Sequence, residues 1–141
     1  MKQLELACLL AGRFLLGIYF ILPGISKIVD FQGVSAYMAV HDVPLIPVLL
    51  ILTIIIQLGA GLALIVGYKG QYAAFLLAGL TLVISVYMHN FWDLAEGTER
   101  AHETQNFFKN LGILAGLLAV AGLGTGPFSL DQRSRSKQEG E

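Results

Sequence analysis

Charge is what this sequence has least of. Of its 141 residues, 13% are Asp, Glu, Lys or Arg, against roughly 25% in a soluble domain. The net charge is -1, and the basic residues are scattered, which excludes the clustered positive footprint that nucleic-acid binding needs. Cysteine is nearly absent as well. Cys8 stands alone, so an intramolecular disulfide and a CxxC redox pair are both excluded, and a small buried apolar residue is what remains. HExxH and HxxxH spacings, a nucleophile elbow, a phosphate loop and a dinucleotide fingerprint are all missing. The sequence therefore predicts neither a metal site nor a hydrolytic centre.

What is abundant is apolar: 55% of residues are hydrophobic and the mean hydropathy is +0.69, the composition of a membrane protein. A spanning helix needs about 20 mostly apolar residues, and residues 4–28, 44–67, 71–91 and 106–124 come close. They predict an all-α, integral membrane four-helix bundle occupying residues 1–128. Although "LELAC" looks like a lipoprotein box, too little apolar sequence precedes Cys8, and the first segment reads as a retained helix. Pro23-Gly24 predicts a kink near its far end. Pro44 and Pro47 open the second segment, and the short "GYKGQ" turn makes the second and third adjacent and antiparallel. Gly112 and Gly116 have GxxxG spacing, which favours close packing inside the bundle first and a homo-oligomer seam second. Residues 129–141 change to a charged tail, expected to be disordered.

Lys2, Lys69, Arg133, Arg135 and Lys137 fall on the side of the termini, against Lys27, Arg100 and Lys109 opposite. The bias predicts both termini in the cytoplasm and residues 29–43 and 92–105 outside.

Arg13, Gly17, Phe20, Gly24 and Lys27 recur at steps of four and three, which places them on one face of the first helix. An arginine inside a span faces protein or water rather than lipid. Counted at about 1.5 Å per residue from the inner helix ends, Arg13 and Gln57 fall at similar depth, and the Gln57 carbonyl is an acceptor for the guanidinium. Snorkelling to the interface, or a reach back to Glu5, is the alternative.

Toward the outside, Lys27, His89 and Lys109 share one depth. Asp93, four residues after His89, is placed to orient the imidazole if the helix continues that far. Gln105 and Lys109 share one helical row, Asn106 and Asn110 the next. With Phe91, Trp92, Phe107 and Phe108 around them, these groups read as the rim of a cup for a small polar or anionic ligand or an outside partner. The same residues also describe an ordinary membrane interface, where aromatics form belts and lysines snorkel. The stretch 94–104 between the flanks reads as solvated loop, tolerant of substitution.

"RFLLGIYFILPGISKIVDF", "QLGAGLALIVGY", "HNFWD" and "NFFKNLGILAGLL", in this order and closing on "GPFSLD", resemble the DoxX family of small four-helix membrane proteins over nearly the whole chain. The resemblance implies a multi-pass protein of the bacterial cytoplasmic membrane. It further implies a link to quinone-coupled thiosulfate oxidation or redox-stress complexes, with quinone as the expected cofactor and a redox protein as partner. Many relatives carry an acid where this chain has Gln57. Glutamine cannot titrate, so a proton-carrying role is lost there while a hydrogen-bonding role survives. The leading expectation is a membrane redox subunit with no redox centre of its own, whose ligand pocket is shaped by Arg13, Lys27, Gln57, His89, Trp92, Asp93, Asn106, Lys109 and Asn110. The alternatives are a non-catalytic scaffold presenting Asp93, Glu96, Glu99 and Glu103 to a partner, and a small transporter subunit.

Overall fold

The computed structural model describes residues 2–138, all of whose regular elements are helical. Four long helices, α1 (Lys2–Val29), α3 (Ile46–Val66), α4 (Gly70–Met88) and α5 (Thr98–Leu123), alternate in direction, and each is long and apolar enough to cross a membrane. The protein is a multi-pass membrane protein. A short helix, α2 (Phe31–Val40), follows α1, a single 3-10 turn spans Phe91–Asp93, and α6 (Leu130–Gln138) closes the described chain. We call the end that carries both termini proximal and the other distal.

The core explains the arrangement. Phe20 of α1, Ala60 and Leu64 of α3, Ala73, Ala74, Leu77 and Ala78 of α4 and Leu117 of α5 form one buried cluster. Alanines along α4 let its neighbours approach, while larger residues such as Leu15, Ile55 and Phe75 point outward, as they must in hydrocarbon. α1 and α3 cross on glycine. A Cβ on Gly17 would stand 2.8 Å from the Gly61 carbonyl oxygen, and one on Gly24 would stand 3.3 Å from Cβ of Gln57. These approaches fix the register of the two helices.

The predicted tight use of Gly112 and Gly116 is not what the fold shows: a Cβ at either would have nothing within 4 Å. α5 instead packs through Ile113, Leu114, Leu117, Val120 and Ala121, a helical stripe of larger residues that turns the glycines away from the bundle.

The elements depart from expectation mainly at the distal end. α5 begins at Thr98 rather than 106, and α2 occupies the expected loop. Hydropathy marks the span, whereas a helix continues as long as its polar turns find partners. Asp30 caps α2 by accepting from the Gly33 N–H at 3.1 Å, and Met38 buries against Leu50 and Ile54. α1 runs without interruption through Pro23, which leaves the Tyr19 carbonyl without its helical donor.

Candidate functional site

Buried polar groups collect at two levels, one at the proximal end and one in the distal half. At the proximal end Arg13 is 6% exposed. Its Nη1 donates to the Thr125 carbonyl at 2.8 Å and its Nη2 to the Phe128 carbonyl at 3.2 Å, while Nε has no partner among the described residues. Asp131 comes down on the neighbouring turn. Its two carboxylate oxygens accept from the backbone N–H of Lys69 at 2.6 Å and of Gly70 at 2.9 Å, so the start of α4 receives from another part of the chain the cap it lacks locally. The Asp131 N–H in turn donates to the Gly67 carbonyl at 2.9 Å.

Gly67, at φ 69°, has room for no side chain, because a Cβ there would meet Ser129 and come within 2.9 Å of Nη1 of Arg13. Ser129 begins α6 by accepting from the Gln132 N–H at 3.2 Å. The tail expected to be disordered takes, as far as residue 138, the form of a strap and a helix, and its residues 139–141 lie outside those described.

Arg13 and Gln57 do not meet. That expectation requires α1 and α3 to end level, but α1 overhangs the α3–α4 turn by about ten residues, or roughly 15 Å. Arg13 therefore faces Gly67, and Gln57 faces Gly24.

Gln57 belongs to the second level. It is 4% exposed, and among the described residues its Oε1 has no hydrogen-bond partner. α3 and α4 diverge from the 67–70 turn, and Gln71 Nε2 donates to the Ala121 carbonyl at 2.9 Å, which sets the register of α4 against α5. Counting along the helices puts Gln57, Thr81 and Asn110 at one depth, about 15 Å from that turn. Asn110 is buried and its Oδ1 accepts from the Tyr19 hydroxyl at 3.5 Å, which brings α1 to the same level. Thr81 and Ser85 are buried but satisfied along their own helix, donating to the Leu77 carbonyl at 2.7 Å and the Thr81 carbonyl at 2.6 Å. Lys27 lies about one turn distal of Gln57 and makes only a long contact, 3.5 Å, to the Pro23 carbonyl.

The distal rim differs from the expected cup. α4 stops at Met88 with His89 as its cap, so Asp93 is not on its helix. His89 Nδ1 instead meets Glu103 Oε2 at 2.6 Å, and Asp93 accepts from Asn90 Nδ2 at 2.9 Å. Lys109 donates to Asn106 at 2.9 Å within α5. Among the described residues no hydrogen bond joins Lys27, His89 and Lys109 to one another.

Phe91, Trp92 and Phe107 pack edge to face at 5.2 to 5.7 Å, with Phe108 alongside. Tyr37 of α2 faces the same corner: burial pushes its phenol up, and the charges of Glu103 and Glu99 push it further. Glu103, placed by sequence in a tolerant loop, thus ties α5 to the end of α4.

Sequence reasoning gave Glu103 only a place on a partner-contact surface, and missed Tyr19, Thr125 and Asp131. Only the last stretch carried a local signal: Ser129-Leu-Asp-Gln132 is a capping-box pattern.

The DoxX family model matches residues 8–90. Inner membrane protein YqjF of Escherichia coli (strain K12) is 35% identical over 137 residues, 97% of this chain and 99% of that protein. Inner membrane protein YphA of the same organism is 30% identical over 125 residues, 89% of each. ER-derived vesicles protein ERV29 of Saccharomyces cerevisiae is 26% identical over 83 residues, 59% of this chain and 26% of that protein. No solved structure matches. A family match over more than half the chain and full-length similarity to two inner membrane proteins lead to one conclusion: this chain belongs to the DoxX family.

Proposed function

We propose that this inner membrane protein is a subunit of a redox system that holds a quinone headgroup in the distal half of its bundle, with the proximal end in the cytoplasm. The observation that carries the reading is the unpartnered, buried end of the Gln57 side chain, level with Asn110 and Tyr19. A buried polar atom without a partner costs about 1–3 kcal/mol, which a ligand group bonding to it recovers. The amide suits both forms of such a ligand, since its N–H donates to a quinone carbonyl and its oxygen accepts from a quinol hydroxyl.

Lys27, one turn further out with only a long backbone contact, adds a second donor. A bound quinone supplies the electron and proton chemistry. The residues around it bind, orient and exclude water, and Gln57, which does not titrate, holds the headgroup without passing protons. Arg13, at the opposite end, organises the strap and has no part in this pocket. A redox protein is the expected electron partner. The scaffold reading is weaker because Glu103, one of the acids it needs at the surface, is bonded to His89.

The test is extraction and quantification of quinone from protein purified gently from its own membrane, comparing wild type with Gln57→Leu and with Arg100→Gln as control. Quinone lost about tenfold in Gln57→Leu alone, the scale of one good hydrogen bond, supports the reading. Equal quinone in all three samples, or none in wild type, removes it.

A further inference from the structure

The proximal strap answers one charge, and among the described residues it leaves another without an ion pair. Asp131 accepts from the start of α4, and among the described residues it forms no ion pair with Arg133. Arg133, one turn into α6, donates its backbone N–H to the Ser129 carbonyl at 3.2 Å, and among the described residues its guanidinium is in no ion pair. Two adjoining open grooves meet at this side chain. One, of about 530 Å³, is walled by Val66, Pro127, Phe128 and Leu130. The other, of about 710 Å³, shares Leu130 and Ser136 with it and adds Tyr68 and Ser134.

The walls differ in chemistry. Val66 is the last residue of spanning helix α3, and Phe128 is 74% exposed, so this side continues the hydrocarbon-facing surface. Tyr68 and Tyr72 are exposed on the turn and first turn beside it, where interfacial aromatics belong. Lys69 lies over the Tyr68 ring at 5.8 Å, and Arg135 and Lys137 follow in sequence.

We propose that this groove binds one anionic phospholipid, its phosphate held by the fork of Arg133 and its acyl chain laid along Val66 and Phe128. Guanidinium matches phosphate with two parallel hydrogen bonds. Free phosphate uses the cation but leaves the apolar wall in water, and a zwitterionic lipid brings a cation of its own against Lys69. A lipid with net negative charge satisfies both halves of the groove.

The test is native mass spectrometry of the full chain in a neutral detergent, titrated with phosphatidylglycerol, with phosphatidylcholine of the same chains, and with inorganic phosphate. Wild type retains phosphatidylglycerol in preference to phosphatidylcholine. Arg133→Gln lowers that retention roughly fivefold, the scale of one basic residue at an anionic surface, and Phe128→Ser lowers it by a separate route. Arg100→Gln, at the distal end, leaves it unchanged. Melting of each variant in the same detergent identifies one that has lost its fold; if Arg133→Gln is lost, Phe128→Ser decides alone. Retention in the folded variants equal to wild type, equal binding of the two lipids, or displacement by millimolar phosphate overturns the proposal.

Discussion

Two buried polar groups of this bundle, Arg13 and Gln57, meet opposite fates. At the proximal end the guanidinium finds carbonyls that the chain itself brings back from residues 125 and 128, and the start of α4 finds the carboxylate of Asp131. In the distal half the amide of Gln57 is equally buried, yet its Oε1 is answered by nothing among the described residues. The difference separates structure from function. A buried group whose main contacts are made within the chain is a fastening, and an amide whose buried oxygen is left without a donor is a candidate binding group.

The contrast can be broken by substitution. Arg13→Ala removes one buried and one part-buried hydrogen bond to backbone carbonyls and is expected to cost about 3 kcal/mol, read as a lower midpoint of unfolding in detergent; an unchanged midpoint would mean the strap is not fastened there. Asp131→Ala removes the cap of α4 and should cost about 2 kcal/mol. Since both hold residues 124–131 in place, the double variant should lose less than the sum; strict additivity would show two independent contacts.

At the distal rim Glu103→Gln exchanges the pair with His89 for a neutral bond and should cost about 1 kcal/mol. A loss as large as that of Arg13→Ala would erase the distinction between the ends. Glu96→Gln, at an exposed position, should change stability by no more than about 0.5 kcal/mol.

The smallest expected effect is spectroscopic. Tyr37 is held above the ordinary phenol range first by burial and then by Glu103 and Glu99. In alkaline titration of tyrosinate absorbance, taken as the difference from Tyr37→Phe, Glu103→Gln should move this phenol down, though not to its ordinary value. No movement would mean that Glu103 does not act on it.

How much of this was legible in the sequence follows from the range of each interaction. The four spans were readable because hydrophobic length is a local property, and Gln57, Asn110 and Arg13 stood out as polar residues in apolar runs. Their partners were not readable. Arg13 bonds to a segment more than a hundred residues away, and its apparent match with Gln57 came from assuming that helix ends are level, which the overhang of α1 prevents. His89 was assigned to Asp93 by helical spacing, but α4 stops at Met88 and the carboxylate comes from α5. The strap carried a capping signal at Ser129 and Gln132, outweighed by a charged composition that suggests disorder. Gly112 and Gly116 show the reverse error, since a motif for close packing was present but the stripe that packs is the one with larger side chains.

The most direct test of the account is hydrogen–deuterium exchange on the protein in lipid nanodiscs, with and without a short-chain benzoquinone, in wild type and Gln57→Leu. The account predicts added protection in peptides covering 19–27, 53–61 and 106–114, none in 124–131, and its loss in Gln57→Leu. Protection that is absent in wild type, that spreads to the proximal strap, or that survives the substitution would contradict it.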